Sequence, residues 1–104
     1  MEYIQISTTF EKEEDAKKIA HLLVKENLSA CVQIIGPISS IYKWKGNIES
    51  SQEYILLIKT KDKLYDKVEK MIKKNHPYET PEIISLPIIK GSSDYLNWLN
   101  DSLS

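Results

Sequence analysis

Apolar residues recur along this chain with two different periods, and each switch between them marks an element. Ile4 and Ile6 alternate with polar neighbours between Tyr3 and Thr8, an alternation that begins at Met1 and predicts a first strand. Ala16, Ile19, Ala20 and Leu23 then fall at i, i+3, i+4 and i+7, which predicts an amphipathic helix ending near Asn27. Thr8-Thr9-Phe10-Glu11 offers that helix a capping box, and Glu13, Glu14 and Asp15 suit the positive end of its dipole. His21 lies off the apolar stripe and is expected to be solvated.

From Leu28 to Thr60 the pattern is dominated by β-branched and aromatic residues on either side of Lys45-Gly46-Asn47, a tight-turn signal, so the whole reads as one hairpin. Arms of about a dozen residues or more, at about 3.3 Å each, make roughly 40–50 Å of strand. A compact chain of this length has a radius of gyration near 13 Å. The hairpin therefore outgrows the globule that should cover it, while its outer part carries Ile38, Ile41, Tyr42, Trp44 and Ile48, which favour leaving water. Another copy of the chain is the simplest cover. Gly36-Pro37 breaks the first arm as a bend, a bulge or an edge position. In the second arm, Ile55 and Leu57 oppose Leu56 and Ile58, apolar on both faces as a central strand is.

Thr60 or Asp62 can cap a second helix, with Leu64, Val68, Met71 and Ile72 as its buried stripe and Lys70, Lys73 and Lys74 in its last turn. Asn75-His76-Pro77-Tyr78-Glu79-Thr80-Pro81 can continue neither helix nor central strand. Glu82 to Ile89 reads as a fourth strand, whose Pro87 argues for an edge or a strand end. After Gly91, Ser92-Ser93-Asp94 caps a last helix whose apolar face is Tyr95, Trp98 and Leu99. The order β-α-β-β-α-β plus a terminal helix predicts an α+β fold. It is a ferredoxin-like βαββαβ sandwich over residues 1–104, a single domain with both main helices on one face of the sheet. The second face is expected to be bare, another sign of association.

Composition removes several functions. The net charge is −1, and all fourteen basic residues are lysine, so neither a general pull on nucleic acid nor the arginine fork that reads guanine is present. A nucleic-acid partner is not expected, nor a membrane one, since no apolar run approaches a span and the N-terminus lacks a signal pattern. A single cysteine forms no internal disulfide and is compatible with a reducing compartment, with the cytoplasm as the default. Phosphate-cradling glycine loops, zinc-type histidine pairs and nucleophile elbows are missing, which argues against an enzyme.

Four places could carry chemistry. His76 and Glu79, in a proline-stiffened loop, could hold a transition metal, or the loop could simply join helix to strand with His76 capping the helix. Cys31 could be a soft ligand, or a small buried hydrophobe within an apolar strand. Lys59, on the same strand face as Glu53, could meet a ligand's acidic group or a carboxylate across a subunit contact. Tyr42, Trp44, Tyr95 and Trp98 could line a cleft, although aromatic residues also anchor interfaces, and the hairpin already demands one.

Ser29-Ala30-Cys31-Val32-Gln33-Ile34, Ser40-Ile41-Tyr42-Lys43-Trp44-Lys45-Gly46-Asn47-Ile48-Glu49, Leu57-Ile58-Lys59-Thr60, His76-Pro77-Tyr78-Glu79-Thr80-Pro81-Glu82 and Tyr95-Leu96-Asn97-Trp98-Leu99 follow one another in the order expected of the CutA divalent-cation tolerance proteins. The chain resembles that family over essentially its whole length. The resemblance implies a ferredoxin-like subunit in a homotrimer similar to PII signalling proteins, without catalysis, and a role in tolerance of copper or other divalent ions. Carried onto this sequence, it implies His76, Glu79 and Cys31 as metal ligands, with Lys59, Trp44, Tyr78 and Trp98 around a ligand-binding cleft between subunits. Ser7 and Asn75 stand where some bacterial members have a cysteine and a second histidine. The alternative it implies is a PII-like signalling or scaffolding module that binds a small anionic ligand or another protein.

Overall fold

The computed structural model describes residues 2–103. Met1, part of the expected first alternation, lies outside the described residues, as does Ser104. Four strands and three helices follow in the order β1 (Tyr3–Phe10), α1 (Glu13–Lys25), β2 (Cys31–Trp44), β3 (Asn47–Lys61), α2 (Tyr65–Asn75), β4 (Ile84–Pro87) and α3 (Ser93–Ser102). They form one antiparallel sheet of order β2-β3-β1-β4, the ferredoxin-like arrangement, with β3 and β1 central. One core joins Ile4, Ile6 and Phe10 of β1, Leu56 and Ile58 of β3, Ala16, Ile19 and Leu23 of α1, and Val68 and Ile72 of α2. Both of these helices thus cover the same sheet face, and each fully buried aliphatic side chain contributes about 1.5–3 kcal/mol.

The starts of both main helices differ from expectation for one reason. Thr8 and Thr9 are buried strand residues, because β1 keeps pairing with β3 as far as Phe10 opposite Tyr54. Continued ladder pairing outweighs a cap of about 1 kcal/mol. Helix α1 begins after Lys12, with no side-chain cap, and Glu13, Glu14 and Asp15 complement its dipole instead. Thr60 likewise stays in the ladder opposite Ile4 and donates its hydroxyl to the carbonyl of Leu28 at 2.7 Å. Asp62–Leu64 form a 3-10 turn that leads into α2, which also lacks a side-chain cap, and Leu64 precedes that helix. By contrast, Ser92 caps α3 as expected, its hydroxyl accepting from the Tyr95 amide at 3.2 Å.

The two-residue turn of the hairpin is Lys45-Gly46, both at positive φ (51° and 83°), and Asn47 already pairs with Trp44. Between Ile35 and Ile38 the register shifts at Gly36-Pro37, so of the expected bend, bulge or edge position the structure has the bulge. Strand β4 is shorter than the Glu82–Ile89 expected, since the paired strand covers only Ile84–Pro87 at the sheet edge, with the Ile88 amide donating once more to the Tyr3 carbonyl at 3.0 Å. The second face of the sheet is not wholly bare. Helix α3 lies over its Tyr3–Cys31 end, burying Leu99 and bringing Tyr95 to Cys31 and Asp101 towards Tyr3.

Candidate functional site

The loop after α2 is placed by its prolines and by one histidine. His76 precedes Pro77, which disfavours helical backbone, so α2 stops at Asn75 and His76 is extended (φ −85°, ψ 135°). Asn75 turns its side-chain amide back to the carbonyl of Met71 at 2.9 Å. The imidazole of His76 stacks on Phe10, 4.2 Å between ring centroids and 15° from parallel. Its Nδ1 accepts the Tyr78 amide at 3.1 Å, which requires the proton on Nε2, and Nε2 lies 2.7 Å from the carbonyl of Thr9. Burial holds the imidazole below its ordinary pKa, against the opposing pull of the Thr9 carbonyl and the carboxylates of Asp15 and Glu53. Both nitrogens are therefore occupied by backbone groups of this chain, and His76 braces the loop instead of capping α2.

That bracing aims Tyr78 at β3. Its hydroxyl donates to Glu53 Oε2 at 2.7 Å, and burial followed by this bond pushes the phenol well above its usual pKa. Glu53 is only 7% exposed, yet it sits beside the bulge and opposite Ile38 on a strand face that opens into a cleft. The cleft, about 690 Å³, lies between the outer hairpin and the 78–82 loop. Tyr42, Trp44 and Tyr78 supply its aromatic walls; Glu11, Glu49, Glu53, Glu79 and Glu82 supply carboxylates, against Lys43 alone as a cation. Register accounts for the pairing of its walls, since Tyr42 stands directly opposite Glu49 and Ser40 opposite Ser51.

The residues expected to act together fall into two groups in one subunit. Glu79, Tyr78 and Trp44 line the cleft, with His76 behind it. Cys31 and Lys59 pair at the other end of the hairpin's base, level with Gln5, whereas His76 meets the chain at Thr9. Four residues along β1 separate those levels by about 13 Å. Cys31 faces Tyr95, whose phenol is raised by burial and then by the thiol, and Tyr95 in turn packs beside Trp98 at 5.6 Å. Lys59 donates to the side-chain oxygen of Gln33. Among the described residues no three of His, Cys, Asp and Glu converge closely enough to hold a metal ion. Ser7 is buried in β1.

Glu49 and Glu82 were not singled out from sequence, nor was Glu53 as a partner of Tyr78. The usable signal was the hairpin register, which follows from the turn and places Glu49 across from Tyr42.

A family model described as CutA1 divalent ion tolerance protein matches residues 4–102. The divalent-cation tolerance protein CutA of Thermus thermophilus is 44% identical over 94 residues, 90% of this chain and 91% of that protein. The chloroplastic protein CutA of Arabidopsis thaliana is 41% identical over 99 residues, 95% of this chain but 54% of that protein, so this chain spans about half of the plant relative. Among solved structures, CutA of Xylella fastidiosa superposes with a TM-score of 0.96 at 34% identity, covering 100% of both chains. The periplasmic divalent cation tolerance protein CutA of Archaeoglobus fulgidus gives 0.95 at 33% identity, over 98% of this chain and 99% of that one.

Proposed function

The chain belongs to the CutA1 divalent ion tolerance family, and from that premise we propose that it serves divalent-cation tolerance as a non-catalytic binding protein. Copper or another divalent metal is taken in clefts that the subunits of a homotrimer complete. The observation that carries this reading is the acidic cleft, with its five carboxylates and one lysine. Its field concentrates cations beside the outer part of a hairpin that is proposed to project towards neighbouring subunits. Within one subunit the donors do not converge, so a closed coordination sphere takes further donors from a second copy. Glu79 is the ligand this geometry favours from the expected set. His76 holds the loop through both of its nitrogens, and Cys31 lies too far along the sheet to share an ion with it. The cytoplasm is the proposed compartment, where the free thiol of Cys31 is kept reduced.

Calorimetric titration with copper, zinc and manganese salts tests the site. Glu79→Gln is expected to weaken binding by about tenfold, the scale on which metal sites respond to loss of a directing group. Full binding in Glu79→Gln together with loss in a folded His76→Gln variant would return the site to the imidazole.

A second reading, a small anionic ligand in a PII-like signalling or scaffolding module, has one observation in its favour. The ammonium of Lys59 bonds to the neutral Gln33 amide, and among the described residues no carboxylate lies within ion-pair distance of it. A thermal-shift screen with small anions separates the readings, because a ligand of the native state alone raises the melting temperature.

A further inference from the structure

We propose that the bond from Tyr78 to Glu53 sets the direction of the outer hairpin and so presents it to a second copy of the chain. The inference rests on reading that hairpin as the contact between copies, and it names the residues that position the contact. Pairing with β1 ends at Phe10 opposite Tyr54, so Glu53 is the first residue of β3 beyond that ladder. On the other arm the register resumes after the bulge at Ile38, directly opposite Glu53. From this rung outwards, residues 38–53 pair only with one another. An isolated two-stranded ribbon is marginally stable and twists more than a wide sheet, so something else has to fix its direction.

Among the described residues, one hydrogen bond outside the strand ladders joins residues 38–53 to the rest of the subunit, from the Tyr78 hydroxyl to Glu53 Oε2 at 2.7 Å. Its far end is anchored. His76 stacks on Phe10, the last β1 residue of the ladder, and accepts the Tyr78 amide, so the phenol is held from the rung next to the one it reaches. The residue type at 53 carries the argument further. Glu53 is 7% exposed, and Ile55 and Leu57 follow it on the same face of β3, where an apolar side chain would pack without loss. A carboxylate so far withdrawn from water costs stability unless a donor meets it. Here the donor comes from a loop instead of a neighbouring strand. Burial and then the carboxylate raise the pKa of the phenol, which keeps it protonated as that donor. A hairpin fixed in advance loses less freedom on association, so the bond favours the contact without touching the partner.

Sedimentation of the full chain over a concentration series tests this on the parent, Tyr78→Phe, Glu53→Gln and the double variant Tyr78→Phe/Glu53→Leu, with helical content checked for each. Tyr78→Phe is expected to move the midpoint of association about tenfold upwards in concentration, the scale of one hydrogen bond to a charged group. Glu53→Gln keeps an acceptor for the phenol and should stay within about threefold of the parent. The double variant leaves neither partner buried and unpaired, which restores the subunit's own stability, yet it lacks the bond and should associate as weakly as Tyr78→Phe. Parental association in Tyr78→Phe or in the double variant would reduce the bond to subunit stability and overturn the proposal. A loss in Glu53→Gln as large as in Tyr78→Phe would also overturn it, by assigning the effect to the charge of Glu53. In each of these cases an associating parent leaves the hairpin standing as the contact. A parent that sediments as a single chain removes that reading and the proposal with it. Should Tyr78→Phe alone not fold, the double variant decides.

Discussion

His76 carries its load through hydrogen bonds, and that makes it sensitive to pH in a definite direction. The folded chain needs Nδ1 bare to accept the Tyr78 amide, and burial disfavours the charged ring, so the folded pKa lies below the ordinary value. The unfolded chain then binds the proton first. Stability contributed by this group is complete at neutral pH and above, declines as pH falls through about 6.5, and levels off below the folded pKa. Denaturant titrations at pH 7.5 and 5.5 should show a smaller pH loss in His76→Gln than in the parent. An identical loss in both would assign the pH sensitivity elsewhere. The His-Pro-Tyr-Glu run was legible as a rigid loop at the mouth of the sheet, because proline chemistry is local. The partners were not: Thr9 lies 67 residues away in sequence, and the proposed company of His76 with Cys31 required strand levels that no local pattern reveals.

At the scale of elements, periods of two and of 3.6 located β1, α1 and α2, and turn, cap and β-branched signals located the hairpin, β4 and α3, while their ends were decided by competition. A threonine near a helix start reads as a cap until the neighbouring strand claims it, as β3 claims Thr8 and Thr9. Where no strand competes, local chemistry suffices. Asn27 ends α1 in the left-handed region (φ 57°), with the Leu28 amide returning to the Leu23 carbonyl at 2.9 Å and the Asn27 amide to Val24 at 3.1 Å. The bulge has a similar local logic with a long-range cause. A Cβ on Gly36 would collide with the ring of Tyr54, which packs against the core from β3. Gly36→Ala is expected to cost about 1–3 kcal/mol, the usual penalty of overpacking, through displacement of that ring. A melting temperature within a degree of the parent would show that Tyr54 moves aside freely.

The whole molecule is more extended than its mass warrants. Its longest dimension is 45 Å against 25 and 23 Å, and its radius of gyration is 14.3 Å. A monomer of 12.0 kDa exposes about 6,000 Å², whereas this chain exposes 6865 Å². The excess of about 900 Å² is close to what one partner contributes to a standard interface. The feature that sequence length made conspicuous exposes apolar surface of its own: Ile41 and Ile48 on the outer hairpin are each 75% exposed. Covering each would contribute about 1.5–3 kcal/mol, so a charge at either position should raise the dissociation constant about 10–100-fold or more. Sedimentation at micromolar concentration is expected to show the parent as a trimer and Ile41→Asp or Ile48→Asp shifted towards the 12.0 kDa chain with their helical content intact. The core lies beneath α1 and α2, away from the hairpin tip, so these substitutions are expected to spare the subunit fold while weakening the proposed association. A parent that sediments as a single chain at that concentration would leave the outer hairpin uncovered, and with it the clefts that subunits are proposed to complete.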